Sequence, residues 1–306
     1  MQKLLILLLL VTVFSCAPTK DVFLFTSFRE PATEGLYLAV SEDGYHWQDL
    51  KGPYLKPEAG DSKIMRDPSI VRGKDDTYHM VWTTDWKGGN GFGYASSKDL
   101  INWSEQQYIP VMKNEPTVVN VWAPEIFYDD AQDQYIIIWA STIPHRFEKG
   151  IEAEDNNHRM YYVTTKDFKT FSETKLFLDP GFSVIDCVIV KRGKNDYALI
   201  IKDNTRPRRD IEVGFGTSPT GPFTNITEPF SGHLSEGPTV LKQKDGWLIY
   251  YDNYGEKNYK AVKTSDFKTF EDVTAQIQLP EGHKHGTITT ISEKVLNGLV
   301  EESKEK

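Results

Sequence analysis

A fivefold internal repeat constrains this chain more than any other feature. A strand-like run, then Ser or Thr, a turn and a closing Trp or Phe reads GLYLAVSEDGYHW from Gly35 and GFGYASSKDLINW from Gly91. The pattern returns as MYYVTTKDFKTF from Met160, IEVGFGTSPTGPF from Ile211 and YKAVKTSDFKTF from Tyr259. A second piece alternates with the first: RDPSIVRGKDDTYHMVWTT, WAPEIFYDDAQDQYIIIWAS, IDCVIVKRGKNDYALIIKDN and EGPTVLKQKDGWLIYYDN. Each of these is a short strand, a polar turn and a longer strand. The β-branched and aromatic runs favour extended structure, and amphipathic helical windows are nearly absent before the last dozen residues.

Together the two pieces supply about four strands per unit of roughly 50–60 residues, the size of a propeller blade. The fifth copy is split. HGTITTIS from His285 supplies an inner strand, and DVFLFTSF from Asp21 supplies the strand that follows it. A blade shared by the two chain ends closes the ring and removes the exposed edges of an open sheet. The expectation is an all-β, single-domain, five-bladed β-propeller over residues 21–295. Residues 296–306 read as a solvated C-terminal tail.

The leader MQKLLILLLLVTVFSCAPTK has Lys3 before an apolar run from Leu4 to Phe14. That run is shorter than the about 20 residues of a spanning helix and reads as a secretory signal. Val13-Phe14-Ser15-Cys16 resembles the lipobox of bacterial lipoproteins, which makes residues 1–16 the signal peptide and Cys16 the lipidated first residue. The alternative is an ordinary signal cut near Ala17. Either way the protein is expected across the inner membrane. With the anchor it is held in the periplasm or at the outer membrane or cell surface, and lipid is its only membrane contact.

Cys187 is then the lone remaining cysteine, so no internal disulfide is expected and the core must hold the fold. The net charge of −9 excludes a typical nucleic-acid surface, which needs a basic patch. The 7 Trp and 15 Tyr can fill a β-rich core or line a groove that stacks on sugar faces.

In a propeller the first strand of each blade lines the central channel. The polar residues at the inner-strand starts are Asp67, Glu125, Asp186, Glu236 and His285, separated by 58, 61, 50 and 49 residues, about one blade each time. The ring therefore gathers four carboxylates and one imidazole at a common funnel. Crowded acids push their pKa values apart, and cleavage of a glycosidic bond needs one carboxyl protonated and another ionised. The competing reading is that these acids cap strands or bind a structural ion.

RDPSIV, WAPEIF, VIDCVIV, EGPTVL and HGTIT resemble the blade motifs of glycoside hydrolase family 43, in the family's order and over nearly the whole chain beyond the leader. The resemblance implies a five-bladed propeller that hydrolyses glycosides with inversion. It makes Asp67 the general base, Asp186 the modulator of the acid's pKa and Glu236 the general acid. Inversion wants base and acid roughly 6.5–9.5 Å apart, leaving room for water. Cys187 stands where the family often has Pro after the modulator, so Asp186 departs from the pattern. His285 matches a family histidine near the axis that in some members helps hold a metal ion or water. The implied cofactors are none for the chemistry and a structural Ca²⁺ near the axis, although Ca²⁺ prefers oxygen ligands.

Glu125 is expected to hydrogen-bond sugar hydroxyls and Trp122 to stack on a sugar or pack its blade. Arg66, Trp86, Asn204 and Arg206 lie near blade-start or strand-end loops and are further candidates for substrate contact. The expected substrate is a plant-type polysaccharide or oligosaccharide losing terminal sugars, α-L-arabinofuranose first and β-D-xylose second. Alternatives are galactan cleavage in the same family and a lipid-anchored propeller that binds glycan without turnover. A retaining fructan- or sucrose-cleaving enzyme would need an earlier Asn-Asp-Pro and a Glu-Cys acid, and the chain has neither. Asn225 of NIT matches a glycosylation acceptor that is idle in a bacterial-type protein, GGNGFG precedes a strand rather than a phosphate-binding helix, and the charged loop from Glu148 is expected to rim the site.

Overall fold

One hydrogen-bonded turn explains why the outer-strand motif repeats. Ser41, Ser97, Thr165 and Thr264 each accept, through the side-chain oxygen, the backbone N–H three residues on, from Gly44, Leu100, Phe168 and Phe267. Asp43, Asp99, Asp167 and Asp266 then accept two further N–H groups each, closing the turn. The residue between has a left-handed backbone every time, with φ from +55° to +77°. Ser, Thr and Asp suit this position because their short side chains replace missing backbone partners.

The structure is a computed structural model that describes residues 22–306; the expected signal peptide 1–16 and Cys16 lie outside the described residues. The first blade contains β1 (Val22–Ser27), β2 (Tyr37–Ser41) and β3 (Gln48–Leu50), and the second β4 (Arg66–Arg72), β5 (Tyr78–Thr83), β6 (Phe92–Ser97) and β7 (Gln107–Ile109). The third holds β8 (Trp122–Asp129), β9 (Gln134–Ser141), β10 (Arg159–Thr165) and β11 (Lys175–Leu178). The fourth holds β12 (Val184–Gly193), β13 (Asp196–Asp203) and β14 (Asp210–Gly216). The fifth holds β15 (Ser235–Gln243), β16 (Gly246–Asn253), β17 (Asn258–Thr264) and β18 (Glu271–Asp272). Last come β19 (Ile288–Ile291) and helix α1 (Glu293–Glu305).

The protein is a five-bladed β-propeller. The closing blade has the order β19-β1-β2-β3, with Phe25 opposite Ile288, so the two ends share one sheet as expected. Five apolar clusters fill the five seams between neighbouring blades. The fourth blade has three strands instead of four. Its turn, TSPTGPF, lacks the Asp of the other copies, and a single Phe215–Thr224 bridge stands where an outer strand would be.

The C-terminal tail is not a free solvated end. Residues 293–305 form α1, capped by Ser292, whose Oγ accepts from Val295 N. Leu299 is fully buried, and Val295, Leu296 and Val300 pack on the seam between the first and second blades. These four lie on one face at helical spacing, so an amphipathic helix docks where the tail was expected to be free.

Candidate active site

Each of four inner strands carries a β-bulge. Asp67-Pro68, Ala123-Pro124, Asp186-Cys187 and Gly237-Pro238 place two residues opposite one partner residue. The first residue of each pair has a positive φ: +51° at Asp67, +45° at Ala123, +52° at Asp186 and +56° at Gly237. Bulges beside functional sites re-aim side chains, and strained backbone persists where the surroundings fix it. Asp67 and Asp186 occupy this strained position, whereas Glu236 sits one residue before it, level with Arg66 and Trp122. Glu125 sits two residues after it, level with Ser69 and Thr239. The inner-strand acids thus fall on three levels rather than one ring.

A cleft of about 1210 Å³ opens over the axis and is lined by Asp67, Asp186, Glu236 and His285 among others. Asp67 Oδ1 lies 3.3 Å from His285 Nδ1, and Thr83 Oγ1 donates to Asp67 Oδ2 at 2.8 Å. Burial alone would raise Asp67, but the hydrogen bond and charge of His285, with Arg66 and Thr83, outweigh it and hold the carboxyl below its usual value. Asp186 Oδ2 accepts from Gly237 N at 3.0 Å, and its Oδ1 lies 4.0 Å from His285 Nδ1. Burial pushes Asp186 up; His285 and Lys202 oppose this, and the charges of Glu236 and Asp67 add to it. For His285 burial opposes the charge, but Asp186, Asp67 and Glu236 raise it to about 9. A Cβ at Gly237 would meet His285 Cγ at 2.6 Å, so glycine is what lets the imidazole approach this strand.

The partner of Glu236 was not foreseen. Lys202 Nζ, from the end of β13, donates to Glu236 Oε2 at 2.8 Å and lies 5.0 Å from the Tyr254 ring centroid. Burial would lower Lys202, yet Glu236 and Asp186 raise it, so it stays a cation. Asp252, the residue paired across from Glu236, also lines the cleft and receives Lys284 Nζ at 2.8 Å. The buried Tyr259 hydroxyl has no hydrogen-bond partner among the described residues and faces the fields of Asp252, Glu236 and Asp67. A Lys and an Asp ending the apolar runs ALIIKDN and WLIYYDN were the available signals.

One wall of the cleft is aromatic. Trp86, 52% exposed, lies 4.7 Å from Trp122 between ring centroids, and Trp122 stacks in turn on His158. Arg66 pairs with Glu30 at 2.7 Å and covers both Phe28 and Trp86. Asn204 lines the cleft and donates to Asn156 Oδ1 at 3.1 Å. Arg66, Trp86, Trp122 and Asn204 thus all line the cleft.

Two expected contacts are not. Glu125 is outside the cleft lining, deeper along the axis, where Ser69 Oγ donates to it at 2.6 Å and burial pushes it up to about 7. Its register position two residues beyond the strained one takes it below the floor. Arg206 is turned away, its guanidinium exposed and 3.5 Å from the buried Glu152, whose other oxygen accepts Arg206 N. The loop from Glu148 is correspondingly anchored by buried Glu152, His158 and Arg159 and reaches the cleft through Asn156.

The metal expectation at His285 does not fit either. Among the described residues no group of three or more His, Cys, Asp or Glu is placed to hold a metal ion. A His285 ring held as a cation between two carboxylates is a counter-ion rather than a ligand.

Residues 20–297 match the family described as "Probable glycosyl hydrolase domain", one related to glycoside hydrolase family 43. An α-L-arabinofuranosidase of Bifidobacterium longum is 23% identical over 257 residues, 67% of this chain and 24% of the relative, so the chain spans about a quarter of that protein. The α-L-arabinanase of Cellvibrio cellulosa, solved with arabinohexaose, superposes with a TM-score of 0.57 at 14% identity, covering 88% of this chain and 96% of that one. An exo-β-1,3-galactanase of Phanerochaete chrysosporium gives 0.56 at 13% identity, covering 73% and 53%. At these identities the two solved structures show the fold.

Proposed function

The chain belongs to the glycosyl hydrolase family related to family 43, and from that premise we propose that it inverts the anomeric centre while releasing terminal α-L-arabinofuranose, or next β-D-xylose, from plant-type glycans. The observation that carries this reading is the placing of Asp67, held ionised, in one cleft with the accessible carboxyl of Glu236. Asp67 is held ionised by His285, Arg66 and Thr83, which suits a base that takes a proton from water. The water oxygen bonds to the anomeric carbon as the glycosidic bond breaks, and Glu236 gives its proton to the departing oxygen. The products are a sugar hemiacetal of opposite configuration and a free alcohol. Trp86 and Trp122 offer an apolar face for a sugar ring.

A second assignment, with Asp186 as proton donor, has one observation behind it: Asp186 is the carboxyl that burial pushes up, while Glu236 is ion-paired. Access favours Glu236. Its side chain is 34% exposed against 7% for Asp186, whose Oδ2 is already taken by Gly237 N. A proton donor has to touch the leaving oxygen.

The arabinofuranosidase similarity supports arabinose first, while a xylanase and a galactanase among the structural neighbours keep xylose and galactan as the alternatives. Export and anchoring through Cys16 remain part of the proposal, resting on the leader. The test is a panel of aryl α-L-arabinofuranosides, β-D-xylosides and β-D-galactosides. Turnover of the arabinofuranoside, lost in both Asp67→Ala and Glu236→Gln, is expected. Cleavage of the galactoside alone would replace the substrate, and glycan binding without any turnover would replace the enzyme by a binding module.

A further inference from the structure

Arg209 is the exception among the nine arginines of this chain. The other eight each have a carboxylate within ion-pair distance. Arg209 has no side-chain partner among the described residues, its Nε is buried without a hydrogen bond, and it lines the cleft. Its backbone is left-handed, φ +53°, a conformation costly for a long side chain and kept where the surroundings demand it. Arg209 O accepts from Ser235 N, the residue before Glu236, so the Arg209 backbone is tied to the strand that carries the proposed proton donor, and both residues line the cleft. Lys257 lines the same cleft and likewise has no carboxylate partner among the described residues; its hairpin is tied to that wall by Tyr254 N donating to Leu234 O.

With 44 acidic residues against 35 basic ones, a chain of net charge −9 has carboxylates to spare for any arginine. A buried donor left unpaired is unfavourable and calls for an explanation, and in a cleft a bound ligand is one such explanation. The planar fork of a guanidinium matches an oxyanion through two parallel hydrogen bonds. An anionic glycan approaching a negative protein also needs local cations to hold it. We infer that Arg209, assisted by Lys257, forms an anion subsite in the cleft, so that the preferred substrate is a glycan bearing a carboxylate, a uronic acid, next to the scissile sugar. This rests on the glycosidase reading above and narrows its substrate.

The test is calorimetry with the full chain carrying Asp67→Asn, so that ligand is not consumed. Three probes are compared: xylotriose bearing one glucuronic acid, the same oligosaccharide with its carboxyl reduced to the alcohol, and a sulfated xylotriose. The uronate is expected to bind roughly tenfold or more tighter than its reduced twin at low salt, and less so at high salt. Arg209→Met should abolish that difference while leaving the neutral probe's affinity in place, and Arg209→Lys should restore part of it. Tightest binding of the sulfated probe would overturn the carboxylate in favour of a sulfate. Equal binding of the acid and its reduced twin, or equal losses on both in Arg209→Met, would overturn the subsite. If neutral aryl glycosides are still cleaved by the wild-type chain in that case, only the anion subsite falls; if no glycan binds and the wild-type chain cleaves none, the glycosidase reading falls as well.

Discussion

Lys202 Nζ lies 2.8 Å from Glu236 Oε2, so the carboxyl proposed as proton donor is already held by a buried ammonium. The pair joins neighbouring blades, since Lys202 ends β13 and Glu236 begins β15. The ammonium favours the carboxylate that remains after the proton has left, and it fixes the oxygen in place. Lys202 is in this account a positioning residue, acting through Glu236.

Lys202→Met should therefore lower kcat by about 10- to 100-fold on substrates with poor leaving groups and less on activated aryl glycosides, since only the former depend on proton donation. Equal losses on both substrates would leave Lys202 a merely structural role.

Thr83 donates to Asp67 at 2.8 Å and is one of the contacts that keep this carboxyl ionised. In Thr83→Val the acid limb of the pH–rate profile should move up, because Asp67 then needs a higher pH to lose its proton. A kcat loss of roughly tenfold at neutral pH is expected from the displaced base. An acid limb that stays put would separate Asp67 from that limb.

His285 titrates at about 9 in the fold against an ordinary 6.5. A raised value means that the folded state binds this proton more tightly. The resulting stability is complete below pH 6.5 and is lost as the pH rises through about 9. The difference in thermal midpoint between the wild type and His285→Gln should shrink across that window, as differential scanning calorimetry at several pH values would show. A constant difference would mean that the ring is neutral in the fold.

The ring was legible in the sequence because each blade ends in the same local device, the Ser/Thr and Asp turn, whose hydrogen bonds span only a few residues. The three levels of the inner-strand acids were not. Asp67, Glu125 and Glu236 all read as an acid before a strand, and only the cross-strand pairing around each bulge separates them. The sequence thus points Glu125 to the cleft, whereas its register position carries it below the floor. Lys202, Asp252, Arg209 and Tyr259 were missed for a related reason: they come from second and third strands or the loop joining them, which meet the cleft only once the blades are packed. Lys202 did leave a trace, a charge closing the apolar run ALII.

Helix α1 is the other misread element, and it can be tested through stability. Leu299 is fully buried against the seam of the first two blades. Leu299→Ala should cost about 2–4 kcal/mol of unfolding free energy, measured by urea denaturation, the usual range for truncating a buried leucine. A cost under about 0.5 kcal/mol, typical of exposed positions, would return these residues to the status of a free tail.

The central claim is that Asp67 activates water while Glu236 protonates the leaving group, with no covalent sugar intermediate. Proton NMR of the first sugar released from an aryl α-L-arabinofuranoside, recorded before mutarotation, tests this most directly. The β anomer is expected to appear first and the α anomer to grow in later, with no product from Asp67→Ala. Initial release of the α anomer would mean retention through a glycosyl-enzyme, and would contradict the assignment of Asp67 as a base acting on water.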